Sequence, residues 1–351
     1  MAGTPAHPSR RVAAADLMNA TGRPRPFAIV DRTSVQLSRP ASGPVVPVRC
    51  AAFLSRLDGP GALTFLGDAA FADALTGVEG CAVVTTAALA GAVPAGNAVL
   101  VAPDGVRPRD EYYAVLADLV VSGGFETLAG RVDPDADVHP SAIVGPDVVV
   151  AAGAVVGPGT VLAGATYVGP GVVIKPNAVI GTDGFEVMVR DGRRRIFPHA
   201  GGVWLSSGVH VGGSTCIDRG AFGEHTFVGA DTMIDNLVHV AHSVSIGSGC
   251  SVVAGAKLNG SCVIGDDTWI APNAIVRQGV HVGRGCLVSL GAVVHKDLPG
   301  HVQAGGNPMR IVGHVCSCRH GLRFGDEPHT VCEACGTAYE RLPDGGARPR
   351  S

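Results

Sequence analysis

A histidine and a glycine set one structural repeat apart carry the most chemistry in this sequence. His242 lies in IDNLVHVAHSVSIG (234–247), two places after Val240. Val240 belongs to a column of apolar residues recurring every six positions, so His242 is expected to face out of the coil. If the chain coils back over itself once in every three such steps, Gly260 is the next position in the same stack. A histidine there can take a proton from a nucleophile. A glycine backbone leaves its N–H open to a developing oxyanion. Together they suit acyl transfer, whereas an outward histidine taken alone reads as a solvated side chain. His239, five places after Ile234, falls near a corner, as polar lining of the same cleft or as a solvated residue.

A second constellation lies near the C-terminus. Cys316 and Cys318, then Cys332 and Cys335 in CEACG, form two arms of a tetrahedral zinc site, the first one residue shorter than the commoner form. Four thiolates would close the coordination sphere, so the role would be structural. The alternative is four free thiols in a loose tail. Cys250, Cys262 and Cys286 sit in a column of small inward residues and read as packing.

The elements that must position these residues follow from a period of six. From Val132 to Ile180, nine successive sixth positions are Val, Leu or Ile, and from Val228 to Val294 twelve are. Leu205, Val211, Ile217 and Phe222 bridge the two runs, with one five-residue step. A second column, four residues after the first, is small or β-branched throughout: Ala154, Thr160, Ala256, Cys262 and Ala274 are members. Six is neither a helical nor an alternating period. A short strand and a corner per repeat closes a three-sided coil in three repeats, and stacked coils satisfy one another's backbone as parallel strands do. Glycine follows Val228, Ile246, Ile264 and Val282, marking one corner shared by successive coils. The pattern breaks at 182–204, where RDGRRR reads as the solvated tip of an ejected loop.

Composition agrees. Of 351 residues, 50 are Gly and 24 Pro, a density that would break long helices. Yet 46% are hydrophobic and only 16% charged, the reverse of a disordered chain. Aromatics are 5%, as a narrow prism requires. A net charge of −3 gives no case for nucleic-acid binding. No apolar run reaches membrane-spanning length, and the N-terminus has no signal-peptide core. Ten cysteines, six scattered and four clustered, point to a reducing, cytoplasmic compartment.

The domain reading is therefore a flexible segment over 1–45, a small α/β domain over 46–130, a parallel β-helix over 131–312, a zinc-ribbon-like unit over 313–342 and a disordered tail over 343–351. In the α/β domain, short strands (VVPVRC, ALTFLG, CAVVTT, NAVLVA) alternate with helical stretches (FADALTGV, EYYAVLADLVV). It is expected either to recognise substrate or simply to cap the β-helix.

Residues 46–312 resemble the UDP-3-O-acylglucosamine N-acyltransferases of lipid A biosynthesis. VIGTDGFE (179–186), TCIDRGAF (215–222) and IDNLVHVAHSVSIG are close to that family's own segments, the break in the repeat included. The resemblance implies a mainly β protein with a left-handed parallel β-helix of hexapeptide repeats, assembled as a homotrimer with clefts between adjacent β-helices. It implies His242 as catalytic base, Gly260 as oxyanion donor, and Asp235 and Asn236 as a pair lining the same site. TFLGDAAF (64–71) resembles the family's uridine-binding stretch, which implies that Phe65 and Phe71 sandwich the uracil. The implied reaction moves an acyl group from an acyl carrier protein thioester to the amine of a UDP-amino sugar, with no catalytic cofactor.

The sequence also departs from the family. Asp68 stands where an asparagine contacts uracil, and Gly279 where a second histidine sits near the acyl donor, with His281 close by but out of register. The cysteine unit replaces a helical C-terminus that grips the carrier protein. These departures leave open a related N-acyltransferase using another amino sugar or acyl-CoA, and a non-catalytic scaffold. A γ-type carbonic anhydrase shares the β-helix but needs three zinc-binding histidines, and His239 and His242 lack a third.

Overall fold

A computed structural model describes residues 10–29, 41–42, 50–51, 61–190 and 192–350. The chain divides into two compact units. One gathers Met1–Thr127, Phe185–Gly201 and Ala221–Glu224, and the other Leu128–Gly184, Gly202–Gly220 and His225–Ser351.

The larger unit is a left-handed parallel β-helix with three faces. The first face has eight strands, from Arg131–Val132 to His281–Val282. The second has eleven, from Asp137–Val138 to Gly321–Leu322, and the third eight, from Ile143–Val144 to Val293–Val294. Most strands are two residues long, because a β-branched pair is all that a six-residue side can hold between corners. His239 pairs with Lys257, and Lys257 with Ile275, each one coil further along the chain. The inward column is sealed: Val240, Ile246, Leu258, Val276, Val288 and Val294 are fully buried. Thr160, Thr232 and Thr268, in the small column, each donate a side-chain hydrogen bond to a carbonyl of the adjoining coil, so the polar atoms there are satisfied.

Shared corners need glycine for a steric reason. A Cβ at Gly229 would stand 2.5 Å from the Gly247 carbonyl carbon, and one at Gly265 would stand 2.5 Å from the Arg284 nitrogen. Stacked backbones at that corner leave no room for a side chain.

Two insertions interrupt the stack. Val168 pairs with Leu205, and Cys216 with His239, both across a longer stretch of chain than the regular step from His239 to Lys257. The first insertion forms the antiparallel hairpin Val187–Arg190 with Arg193–Ile196, which belongs to the smaller unit. All four residues of Arg193–Ile196 are exposed, while Met188 and Phe197 enter that unit's core. The second insertion contains Phe222. The expected bridge is corrected there: Phe222 is not in the prism but packs in the smaller unit beside Tyr112, Tyr113 and Phe197. Its apolar character serves that core, and its near-fit to the six-residue count is accidental.

The smaller unit holds a five-stranded sheet. Cys50–Ala51, Ala62–Phe65, Ala82–Thr85 and Ala98–Val101 run parallel, and Ala41–Ser42 joins Ala98–Val101 antiparallel. The helix Pro108–Val121 starts with Pro at its first position and buries Tyr112, Leu116 and Leu119. FADALTGV, expected to be helical, forms the 3-10 turn Ala69–Leu75.

Both expected loose ends are corrected where they are described. Within 10–29, Leu17, Phe27 and Ile29 are buried, and Thr127 N–H donates to the Arg10 carbonyl at 3.0 Å. Glu126 also clamps this segment, accepting from Arg25 at 2.7 Å and the Ala28 N–H at 3.0 Å. At the other end, Ala347–Pro349 pairs with Ala338–Arg341, which pairs with His329–Val331. Composition alone made both segments look loose; a few buried apolar residues and edge pairings order them. Of the segment 1–45 expected to be flexible, residues 1–9, 30–40 and 43–45 lie outside the described residues.

Candidate functional site

His242 follows the strand His239–Val240 at the corner leading to the next face. The chain turns there because Ser243 takes a left-handed conformation, with φ +61°, and its N–H donates to Thr226 Oγ1 at 2.9 Å. The imidazole leaves the prism but does not project freely: His242 is 8% exposed. The ring leaves the prism as expected, but it is covered and not solvated. The ring lies along the stack over Gly260, where a Cβ would stand 2.7 Å from Nε2 and 2.8 Å from Cε1. Any side chain at 260 would displace the histidine. His242 Nδ1 lies 3.3 Å from Ser243 Oγ, which can fix the tautomer and leave Nε2 toward Gly260. The Gly260 carbonyl accepts from the Gly279 N–H at 3.0 Å, while among the described residues the Gly260 N–H finds no acceptor. A base and an open N–H donor therefore share one corner of two successive coils.

His239 stands on the third face between Cys216 and Lys257. Its Nε2 is 3.9 Å from Asp218 Oδ2. Burial lowers the His239 pKa, helped by the charges of Lys257 and His242. Burial raises the Asp218 carboxyl to about 6, helped by the charge of Asp183. Both partners are pushed toward their neutral forms, so the pair is a polar contact and not a strong ion pair at neutral pH. Asp218 is the residue that reasoning from sequence passed over. Its signal was an acidic residue immediately after an inward isoleucine, Ile217, in TCIDRGAF.

Asp235 and Asn236 occupy the corner before His239. Asp235 accepts from the Asn236 N–H at 2.8 Å and the Ala254 N–H at 3.2 Å, and Asn236 Oδ1 accepts from the Gly213 N–H at 2.8 Å. The pair thus ties three coils together. Asp235 also lines a cleft of about 330 Å3 with Lys175, His210, Met233, Ser251 and Trp269. His242 is not part of that cleft. One chain places the Asp235–Asn236 pair and His242 at different edges of the prism, with His239 on the face between.

In the smaller unit, Phe65 is half-buried with its ring 5.3 Å from that of Tyr112. Phe71 is 62% exposed on the 3-10 turn. Asp68 caps that turn, its Oδ1 accepting from the Ala70 N–H at 2.9 Å. The carboxylate at the position matching the asparagine is thus partly engaged by its own backbone. At Gly279, φ is +72° and nothing lies within 4 Å of a built Cβ, so the position of the family's second histidine is open space. His281 is exposed, and its N–H donates to Asp297 Oδ1 at 2.8 Å.

Cys316 and Cys332 are buried, Cys318 and Cys335 exposed. Their four Sγ atoms lie within 4.8 Å of one another. Cys250, Cys262 and Cys286 are buried in the core column, where burial holds their thiols up at about 11, 12 and 11. Such thiols are inert as nucleophiles.

A prism of six-residue repeats carrying a histidine over an open backbone N–H is the frame of a hexapeptide acyltransferase. The family described as "Bacterial transferase hexapeptide (six repeats)" matches residues 225–260 and 261–296, the stretch that holds both site residues. The UDP-3-O-acylglucosamine N-acyltransferase of Methylorubrum populi is 35% identical over 314 residues, covering 81% of this chain and 89% of the relative. That of Methylobacterium sp. strain 4-46 is 32% identical over 283 residues, covering 72% and 80%. A shorter match, 44% identical over 93 residues, spans 27% of the Caulobacter sp. relative. The chain belongs to the UDP-3-O-acylglucosamine N-acyltransferase family. Among solved structures, the UDP-N-acetylglucosamine acyltransferase of Campylobacter jejuni aligns with 52% of this chain and 75% of its own, at 22% identity and a TM-score of 0.41. Among the described residues no helix is long and apolar enough to cross a membrane.

Proposed function

We propose that this acyltransferase moves an acyl group from an acyl carrier protein thioester to the amine of a UDP-amino sugar. The observation that carries the reading is the imidazole of His242 held against Gly260, whose N–H is open. The amine nitrogen attacks the thioester carbonyl while His242 Nε2 takes an amine proton. The carbonyl oxygen gains negative charge and is held by the Gly260 N–H. The C–S bond then breaks, and the carrier thiolate receives the proton from the imidazolium. The product is an amide, and no acyl-enzyme forms. A site closed by four thiolates would leave no position for substrate, so the cysteine unit takes no part in these steps.

Uridine would stack on Phe71, which is largely exposed, and on the exposed part of Phe65. Asp235, Asn236 and His239 line the acceptor site in this reading, and within the smaller unit Asp68 would face the uracil. The reading includes a homotrimer: the Asp235 corner and the His242 corner lie at different edges of one prism, and adjoining copies would present both to one cleft. The core thiols of Cys250, Cys262 and Cys286 are free, in keeping with a cytoplasmic setting.

A second reading, acyl-CoA as donor, is favoured by two features. The open position at Gly279 and the cysteine unit stand where the family has its donor-contacting histidine and its carrier-gripping helix. Assays of the purified protein with each thioester and a UDP-amino sugar separate the donors. His242→Ala is expected to lower kcat by ~10²–10⁴-fold with the sugar KM little changed. An unchanged kcat would overturn the mechanism, whichever donor is used.

A further inference from the structure

We propose that Cys316, Cys318, Cys332 and Cys335 bind one zinc ion, and that this ion holds Arg319 on the β-helix at the rim of the Asp235 cleft. The inference stands independently of the acyl-transfer reading.

The donor geometry comes first. Cys316 Sγ is 3.4 Å from Cys335 Sγ, and Cys318 Sγ is 3.6 Å from Cys332 Sγ. All four sulfurs fall within 4.8 Å. A tetrahedron of thiolates around zinc has edges of about 3.8 Å, from Zn–S bonds of about 2.3 Å. The sulfurs are therefore spaced as ligands of a common centre. The two arms are also shaped as metal knuckles. In the first, the Arg319 N–H donates to the Cys316 carbonyl at 2.7 Å, and the Cys318 N–H points at Cys316 Sγ at 3.5 Å. In the second, the Gly336 N–H donates to the Cys332 carbonyl at 2.9 Å, with Gly336 at φ +75°, a left-handed turn that glycine adopts freely. Each turn aims its cysteines at the other.

The unit needs such a centre. Its core cluster is Cys316, Leu322, Cys332, Tyr339 and Ala347, with Phe324 against it. Two of those five buried residues are themselves ligands, and so small a core cannot order this segment by burial alone. Metal binding would supply that ordering.

The reach of the first knuckle gives the ion a second consequence. Arg319, one residue past Cys318, sits at φ +71°. Its guanidinium lies 4.2 Å over the Trp269 ring, and Nη2 donates to Ser251 Oγ at 3.3 Å. Trp269 and Ser251 both line the cleft that contains Asp235. The knuckle thus plants a cation at the rim of that cleft, and the knuckle's shape depends on the ligands on either side.

The test uses the full chain, purified without chelators and analysed for metal by mass spectrometry of the elements. One zinc per chain is expected, falling to below a tenth in Cys332→Ser. Cys335→Ser, at an exposed ligand, serves if the buried variant fails to fold. Cobalt added to the stripped protein is expected to give thiolate charge-transfer bands of a tetrahedral S4 site. Stripping zinc is expected to shift the tryptophan emission of the wild type but not of Arg319→Met, which as purified binds zinc as the wild type does. Sub-stoichiometric metal, iron in place of zinc, or an intact mass four hydrogens short from two disulfides would each overturn the metal assignment. An equal emission shift in Arg319→Met would overturn the link to Trp269.

Discussion

The His242 corner and the cysteine unit are both built from short β-strands on one chain, yet they are ordered by opposite means. The corner sits on a stack in which every coil has a coil above and below, with Leu258, Ile264 and Val276 all but fully buried. Backbone pairing and a continuous apolar column hold it, so side chains at the corner are free to serve chemistry. The cysteine unit has five buried core residues, two of them thiols. There the side chains that carry polar chemistry are the ones that hold the structure. The contrast teaches where a substitution will act: on rate with little loss of stability at the corner, on order with little loss of rate in the cysteine unit.

The sharpest attempt to break that contrast is Gly260→Ala. The added Cβ meets the imidazole at 2.7 Å, so His242 must move from its place over the N–H. The backbone N–H remains, but loss of an oriented base is expected to cost ~10²–10³-fold in kcat, within the range of general-base removal. The melting temperature is expected to stay within a few degrees, since residue 260 lies outside the inward columns. Steady-state kinetics beside thermal melts check it; a collapsed melt with normal residual kcat would reverse the contrast.

The complementary change is Leu258→Ala, two residues before that glycine but inside the prism. Leu258 is fully buried, and truncation leaves a cavity that stacked coils cannot close. Destabilisation of about 2–5 kcal/mol is expected, read from urea unfolding. The kcat of the fraction that remains folded is expected to be near normal. If Leu258→Ala lowered kcat as much as Gly260→Ala, the corner would not be independent of its core.

How far the sequence carried these distinctions depended on periodicity. The six-residue columns were legible because every corner returns the chain to the same inward position, and Val240, Leu258 and Val276 are buried where the count placed them. The count failed where it met residues serving another core. Phe222 has the right hydrophobicity and nearly the right spacing, but spacing does not say which core claims a ring. The lie of His242 along the stack was also hidden. Outward direction follows from sequence, but the room made by a missing side chain one coil later is a packing fact. The pairing of Asp218 with His239 was hidden for a related reason. The approach of the two crosses a coil lengthened by an insertion, so no fixed spacing marks it. The cysteine arms needed no periodicity, since ligand type and spacing alone drew them together.

Asp218 offers the smallest and most discriminating test, because it places a costly group inside the robust region. The residue is 9% exposed, and burial raises its pKa from 3.8 to about 6, helped by Asp183. The unfolded chain holds the proton less tightly than the fold does. The contribution of this group to stability is therefore fully present below about pH 4 and is lost as pH rises through about 6. Above that the fold carries a buried charge whose near neighbour, His239, is itself held neutral by burial. Asp218→Asn removes the titration but keeps the shape. The variant is expected to be more stable than wild type near pH 8, by at most roughly 3 kcal/mol, with the gap closing as pH falls toward about 4. Thermal melts of both proteins across that range read the gap directly. Parallel curves would mean that Asp218 is solvated in the fold and that its approach to His239 carries no cost. A gap that widened on acidification would mean the carboxylate is stabilised as the anion, and the polar contact with His239 would then have to be an ion pair after all.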